Sequence, residues 1–258
     1  MKRTALITGA SGGIGYELAK LFAKDHHDLI LVARSGAKLA QHADELQRQF
    51  GITARAITCD LSVTSGAQAL FDQVQRENVA VDFLVNNAAY GKHGDFAQIP
   101  IEESLGQIQL NISALTALTK LFVDPMIERR RGRILNVAST AAFQAGPLMA
   151  VYYASKAYVL SFSEALANEL KPSGVTVTCL CPGPTETGFQ ERAAMGNARL
   201  VKLGMMSAKA VALEGYRGVH AGKPLVIAGF RNWLVAESVR FAPRRMVTAV
   251  SRKLAEKA

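Results

Sequence analysis

Cysteine is scarce. The 258 residues hold three, Cys59, Cys179 and Cys181, and an odd, sparse count excludes a disulfide framework. Cys179 and Cys181 share one face of an expected strand with no Cys/His set beside them, so no metal site is expected. Long apolar runs are missing too. No segment approaches the ~20 apolar residues of a membrane span. Ala5-Leu6-Ile7, behind Met1-Lys2-Arg3, is too short for the apolar part of a signal peptide. A cytoplasmic location is therefore the expectation. No Pro/Gly/Ser-rich linker, internal repeat or low-complexity tract divides the chain. With 49% hydrophobic residues, that leaves one large domain, 1–258, with a well-buried core. Acid is in short supply against base, 21 Asp and Glu to 30 Lys and Arg, for a net charge of +9. The excess gathers in Arg129-Arg130-Arg131-Gly132-Arg133 and from Arg240 onward. Such charge permits contact with phosphates, nucleic acid or an anionic membrane, with solvated helix ends as the plain alternative. Interleaved aromatics and a matching motif are absent, so no nucleic-acid partner is expected.

What is present is alternation. Short β-rich runs are expected at Thr4–Thr8, Asp28–Ala33, Thr53–Thr58, Val81–Asn86, Arg133–Ala138, Val175–Cys181 and Pro224–Ala228. Helical stretches separate them at Gly13–Lys24, Ala37–Phe50, Ser62–Asn78, Ile101–Glu128 and Met149–Leu170. Strands such as Leu29-Ile30-Leu31-Val32 are apolar almost throughout, the pattern of a parallel sheet covered on both faces. The alternation predicts a doubly wound α/β fold, a seven-stranded parallel sheet with helices on both faces. Ligands of such sheets bind beyond the carboxyl ends of the strands, near Thr8, Ala33, Thr58, Asn86, Ala138 and Cys181.

The first of these loops holds Thr8-Gly9-Ala10-Ser11-Gly12-Gly13-Ile14-Gly15. Glycine lets backbone approach a pyrophosphate, and a helix N-terminus offers it N–H donors and positive dipole. The spacing is not the usual Gly-x-Gly-x-x-Gly, and no Gly-Lys-Ser/Thr follows as in Walker A. Its place between the first strand and helix still points to a nucleotide. After the second strand stands Ala33-Arg34-Ser35, where an acid would bond the ribose hydroxyls of NAD. A guanidinium and a hydroxyl suit a 2′-phosphate, so NADP(H) is preferred, with NAD(H) possible. Asp60, followed by Leu61, is placed to meet the adenine amino group, or else is a helix-start acid.

Tyr152-Tyr153-Ala154-Ser155-Lys156 carries the chemistry. Tyr152 and Lys156 are four apart, so on a helix phenol and ammonium share one face. A nearby cation lowers a phenol pKa from ~10, which makes the pair a general acid/base at an alcohol or carbonyl. Tyr153, three residues from Lys156, competes for the role.

Taken together these residues resemble the short-chain dehydrogenase/reductase family over nearly the whole chain, the last fifty or so residues least. The glycine turn resembles the family's cofactor turn and Asp60 its adenine-contacting acid. Asn86-Asn87-Ala88-Ala89 is similar to its Asn-Asn-Ala-Gly segment, with Ala89 departing from glycine. Pro182-Gly183-Pro184-Thr185-Glu186-Thr187 resembles the stretch that contacts the nicotinamide carboxamide and pyrophosphate. The resemblance implies a Rossmann-type fold and hydride exchange between NADP(H) and a carbonyl or alcohol carbon. It implies that Asn111, Ser139, Tyr152 and Lys156 form a catalytic tetrad. Ser139 would bond the developing oxyanion, Tyr152 move the proton, and Lys156 tune the phenol and hold the ribose. Asn111 would anchor a water. Family spacing selects Tyr152 over Tyr153. Cofactor contacts fall on Gly9, Ser11, Gly12, Gly13, Ile14, Gly15, Arg34, Ser35, Asp60, Leu61, Asn87, Ala88, Pro182, Gly183, Thr185 and Thr187. A non-catalytic cofactor-sensing protein on the same fold is the alternative; such a chain often loses the tyrosine or lysine, and this one keeps both.

The substrate pocket is expected from Thr140–Ala150, Tyr90–Phe96 and a lid at 188–206. Tyr90, Phe143, Met149 and Phe189 should line it, with Leu148, Met195, Leu203, Met205 and Met206, a set that favours an apolar ketone or alcohol. The extension 232–258 mixes apolar residues with arginines and is interrupted by Pro243, so two helical pieces are expected. It is read as packing on its own domain or on a second subunit, with contact to an anionic membrane as a further option. The family resemblance implies a homodimer or homotetramer through the helices at Ile101–Glu128 and Met149–Leu170.

Overall fold

Adjacent residues of the first two strands point into different cores. The computed structural model describes residues 2–195, 198–202 and 204–256. In β1, Thr4–Thr8, Ala5 and Ile7 join one buried cluster and Leu6 joins another. In β2, Asp28–Ala33, Leu29 and Leu31 face the first cluster, Ile30 and Val32 the second. That two-residue period, apolar on both sides, gives the strands their unbroken hydrophobic reading.

The sheet continues through β3 (Ala54–Thr58), β4 (Phe83–Asn86), β5 (Gly132–Val137) and β6 (Val175–Cys181). Two short strands, β7 (Thr185–Glu186) and β8 (Met206–Ser207), pair with each other outside it. β9 (Leu225–Ile227) closes the far edge. All seven main strands are parallel, in the order β3-β2-β1-β4-β5-β6-β9. The expected doubly wound sheet is therefore observed. Its order reverses between β1 and β4, and that switch point opens the crevice where such folds take ligands.

Helices α1 (Gly13–Lys24), α2 (Gly36–Phe50) and α9 (Ala208–Ala221) cover one face. Leu18, Phe22, Leu39, Leu46, Val211 and Val219 fill that core. The other face takes α3 (Gly66–Arg76), α5 (Leu115–Glu128) and α6 (Ala150–Glu169), through Leu70, Leu118, Phe122, Met126 and Leu166. The third helix starts four residues later than expected. Ser62 gives its backbone N–H (2.9 Å) and hydroxyl (2.6 Å) to Asp60 Oδ1, a local turn that competes with the helix.

The stretch expected as one helix over Ile101–Glu128 is α4 (Ile101–Ile108), a widened π-helical turn over Gln109–Ala114, and then α5. The 28-residue run is long and apolar enough to cross a membrane, which its sequence did not suggest, yet 44% of its most apolar window is buried within the fold. It is a core helix whose inner side packs on the sheet. After β6 the chain forms two short helices, α7 (Phe189–Arg192) and α8 (Arg199–Lys202). The C-terminal extension is two helices, α10 (Phe230–Ser238) and α11 (Arg244–Ala255), with Pro243 between them as expected.

A chain of buried polar side chains ties the centre of the sheet to its helices. Asn86 Nδ2 donates to Thr119 Oγ1 (3.0 Å) and to Asn136 Oδ1 (2.9 Å). Asn136 Nδ2 donates to Ser163 Oγ (2.9 Å), which donates to the Val159 carbonyl (2.6 Å). All four side chains are buried, and each bond satisfies a group that water cannot reach. Asn136→Ala strands an Asn86 donor. Urea unfolding should show a loss of ~1–3 kcal/mol; an unchanged midpoint would mean that the chain of bonds contributes nothing.

Candidate active site

The cleft begins where β1 and β4 end. Thr8 Oγ1 donates to the Val85 carbonyl (3.2 Å) and accepts from the N–H groups of Asn87 (2.9 Å) and Ala88 (3.0 Å). Asn87 Nδ2 returns to the Thr8 and Gly9 carbonyls at 2.9 and 3.3 Å. This lacing holds the two strand ends together at the switch point. Gly9 has φ +67°, and a Cβ there would lie 2.7 Å from Asn87 Nδ2. A Cβ on Gly15 would lie 2.5 Å from the Gly9 carbonyl oxygen. Glycine at both positions lets α1 start directly against the strand end, its N–H groups facing the cleft. Gly15 serves that packing and does not line the cleft, whereas Gly9, Ser11, Gly12, Gly13 and Ile14 do.

One cleft of about 1520 Å³ runs from this turn across the sheet. Single-ligand pockets are ~300–1,000 Å³, so there is room for a dinucleotide and a second molecule. Arg34, Ser35, Asp60, Leu61, Asn87, Ala88, Pro182, Gly183, Thr185 and Thr187 all line it. So do Lys38 and Arg192, which the sequence reading missed. Lys38 lies in the first turn of α2, close in sequence to Arg34 at the end of β2, a place that could have revealed it. Arg192 sits on α7 with its guanidinium 5.0 Å from the Tyr90 ring centre. Burial, and then the charge of Arg34, depress its pKa, against the opposing influence of Tyr90, Glu103 and Asp60. The Asp60 carboxyl is held below its usual range, first by the Ser62 hydrogen bonds and then by Arg34 and Arg192.

Tyr152 and Lys156 lie in the first two turns of α6, over the end of β5. Tyr152 is partly buried and lines the cleft; Lys156 is 3% exposed. The Lys156 Nζ donates to the Val137 carbonyl at 2.8 Å and sits 5.7 Å from the Tyr152 ring centre. Burial brings the ammonium pKa down to about 8, opposed by the neighbouring Cys179 and Cys181. The phenol does not follow the sequence expectation. Burial raises the Tyr152 pKa above its ordinary value, and the Ser139 hydroxyl, not Lys156, is the chief influence against that rise. The Ser139 hydroxyl also donates to the Pro182 carbonyl (3.3 Å) and accepts from Ala141 N–H (3.1 Å), capping the 3-10 turn Thr140–Phe143. Tyr153 is buried edge-on to Tyr152, ring centres 6.1 Å apart, as pocket wall.

Asn111 is buried beneath this site, inside the π turn. Its Nδ2 donates to the Tyr90 carbonyl (2.9 Å) and Ser155 Oγ (3.1 Å), and its Oδ1 accepts from Tyr90 N–H (3.1 Å). Both amide hydrogens are committed to protein. The side chain therefore fixes the Tyr90 loop to α6, and Oδ1, with one partner, keeps a second lone pair.

The substrate end is apolar. Tyr152, Met149 and Phe189 converge on Gly91, where a Cβ would lie 3.0 Å or less from each. Tyr90, Met195, Met205 and Met206 join them. Phe143 is a correction: it packs with Leu115, Ala138, Val159 and the cysteines, away from the cleft, because the turn after Ser139 directs it between α6 and the sheet. Leu148 is another, turned into a small separate hollow with Phe96 and Val151. Leu203 lies outside the described residues. In their place the cleft takes Val235, Ala236 and Leu254 from α10 and α11. Nothing local in those helices signals such a long-range placement.

The family model described as short chain dehydrogenase matches residues 3–197. A solved short-chain dehydrogenase from Sphingobium yanoikuyae, in complex with NADPH, superposes with a TM-score of 0.84 and 31% identity, covering 93% of this chain and 94% of that one. Ketoacyl reductase HetN of a Nostoc species is 36% identical over 188 residues, 72% of this chain and just under two thirds (65%) of its own length. Nodulation protein G of a Rhizobium species is 32% identical over 190 residues, 74% of this chain and 76% of that protein. With the parallel sheet, the glycine turn and the Tyr152–Lys156 pair in one cleft, these matches make the chain a member of the short-chain dehydrogenase family, an NAD(P)-linked oxidoreductase acting between CH–OH and C=O.

Proposed function

We propose that the chain reduces the carbonyl of an apolar ketone, with 3-oxoacyl compounds the first class to test. The observation that carries this reading is the meeting of Tyr152, Lys156 and Ser139 at one end of a cleft whose other end is the glycine turn. HetN, named a ketoacyl reductase, gives the substrate class its starting point. NADPH, when bound, supplies the hydride. Gly9 and Gly13 with the start of α1 would hold its pyrophosphate, and Arg34, Ser35 and Lys38 its 2′-phosphate. Asp60 keeps Oδ2 for the adenine, since only Oδ1 is bonded to Ser62.

The chain's own groups then act on the substrate oxygen. Ser139 turns its hydroxyl from the Pro182 carbonyl, a long 3.3 Å bond, to the oxygen as negative charge develops there. Tyr152 donates its proton to the same atom. A phenol whose pKa burial raises stays protonated at neutral pH, the form that reduction requires. Lys156, brought down to about 8, stays mostly protonated at neutral pH, next to the phenol, and orients the ribose. Asn111 is a positioning residue that locks the Tyr90 loop and α6 together. Phe189, Met195 and Met206 close over the substrate.

The assembly is a homodimer or homotetramer. Ile101, Leu105, Ile108 and Ile127, exposed along α4 and α5, and Tyr158 on α6 supply an outward apolar surface for it. The three free thiols suit the reducing cytoplasm.

Three measurements test this reading. Tyr152→Phe should lower kcat for an NADPH-reducible ketone by ~10²–10⁴-fold and leave NADPH binding within error; near-normal turnover removes the phenol from the mechanism. Arg34→Leu should cut kcat/KM with NADPH by roughly 10-fold or more, the weight of a charge-assisted phosphate contact, and leave NADH little changed; an unaltered ratio assigns the choice elsewhere. NMR titration of the Lys156 side chain without cofactor should give a midpoint near 8, against the usual 10.5. Between those values the unfolded chain binds more protons at this site, so its contribution to stability rises with pH. A midpoint near 10.5 would show an ammonium that is not desolvated.

A further inference from the structure

One face of the C-terminal helices is aromatic, apolar and basic at once. On α10, Phe230 (74% exposed), which also lines the cleft mouth, Trp233 (45%) and Leu234 (55%) stand at i, i+3 and i+4 and share a side. The Phe230 and Trp233 rings stack with centres 5.8 Å apart. Phe241 follows in the turn before Pro243, 88% exposed, and Met246 (55%) and Val250 (51%) continue the surface one turn apart on α11. The inward sides of both helices are satisfied, since Ala236, Ser251 and Ala255 are buried. The outward sides expose a run of large apolar side chains, more than soluble surfaces usually leave bare.

Charge decides what covers it. Between residues 230 and 256 stand Arg231, Arg240, Arg244, Arg245, Arg252 and Lys253, against Glu237 and Glu256; Glu237 pairs with Arg240 (3.3 Å) and Glu256 with Arg252 (3.4 Å), which leaves Arg231, Arg244, Arg245 and Lys253 as the surplus. A second copy seated on this face about a two-fold axis would set this basic surplus against itself, a like-charge arrangement that isologous interfaces disfavour. An anionic bilayer meets both halves of the pattern: headgroups take the cations, and the interface takes aromatic and aliphatic side chains. The face also has a fixed relation to the cleft. His93 bonds the Ala255 carbonyl through Nε2 (2.8 Å), and Arg199 N–H donates to the Glu256 carbonyl (3.1 Å), so α11 is fastened to the loop and short helix beside the cleft. Val235, itself 58% exposed, lines the cleft, as does Leu254.

We infer that this face docks the chain on an anionic membrane surface, with Phe241 among the acyl chains, Arg244 and Arg245 on the headgroups, and the cleft mouth beside the lipid. The test is co-sedimentation of the full chain with vesicles of phosphatidylcholine alone or mixed two to one with phosphatidylglycerol. At low salt the chain should pellet with the mixed vesicles and not with phosphatidylcholine. Release is expected at ~1 M salt, where the Debye length is about 3 Å. The pairs Arg244→Glu/Arg245→Glu and Phe241→Ser/Met246→Ser, none of which lines the cleft, should each weaken partition by roughly 10-fold or more. Melting temperature and NADPH binding, read on the same samples, should be unchanged; they separate loss of docking from loss of fold or of the cofactor site. Binding no tighter to the anionic vesicles than to phosphatidylcholine would overturn the inference. So would full binding by both variants, or an oligomer that Phe241→Ser/Met246→Ser dissociates in a chain that never partitions to vesicles.

Discussion

A buried ammonium is the constraint around which this site is built. Taking Lys156 out of water costs several kcal/mol unless hydrogen bonds replace the solvent. The replacement is the Val137 carbonyl, at the last residue of β5, aimed at the ammonium. Helix α6 must therefore cross that strand end at a fixed height, which puts Tyr152, one turn earlier, at the cleft wall. Cys179 and Cys181 on the neighbouring strand β6 share the floor, small enough to let the lysine in and polarizable enough to favour its charge. The π turn around Asn111 then holds α6 from the other side through Ser155, whose hydroxyl also donates to the Tyr152 carbonyl at 2.7 Å. The proton-transfer pair is thus over-determined by one strand end, one irregular helix turn and one serine.

The two ends of the cleft differ in kind. Arg34, Lys38 and Arg192 line one end with Asp60, and the charges of Arg34 and Arg192 both bear on that carboxylate. Beyond Tyr152 the lining turns to thioether and aromatic carbon. Position along the sheet sorts the lining: the glycine turn, Arg34 and Lys38 lie beyond β1 and β2, and the apolar side chains lie beyond β5 and on the segments that follow β6. The C-terminal helices belong to both concerns, because they wall the apolar end and carry the basic outer face.

The parts of this design that depend on short stretches of chain were legible in the sequence. Runs such as Leu29-Ile30-Leu31-Val32 announced strands with a core on each side, and the glycine turn announced where a helix meets a strand end. The spacing of Tyr152 and Lys156 announced a shared helix face. What stayed hidden depends on distant partners. The π turn forms where Asn111 is claimed by Tyr90, twenty-one residues away, and no local preference encodes that. Phe143 was read as pocket lining by proximity to Ser139 in sequence, yet a 3-10 turn carries it into the core. The raised phenol pKa depends on burial, which the sequence could not weigh against the lysine charge. Val235 and Leu254 reach the cleft only because two late helices fold back across it.

The account rests on a nicotinamide ring lying next to the Tyr152 hydroxyl. A crystal structure of the chain grown with NADPH measures that directly. It should show the ribose hydroxyls within hydrogen-bond reach of Lys156 Nζ and the hydride-bearing carbon facing a space bounded by Tyr152, Ser139 and Phe189, within ~3–3.5 Å of where a carbonyl carbon would sit. A cofactor bound with its nicotinamide turned away from Tyr152, or held outside the cleft, would contradict it.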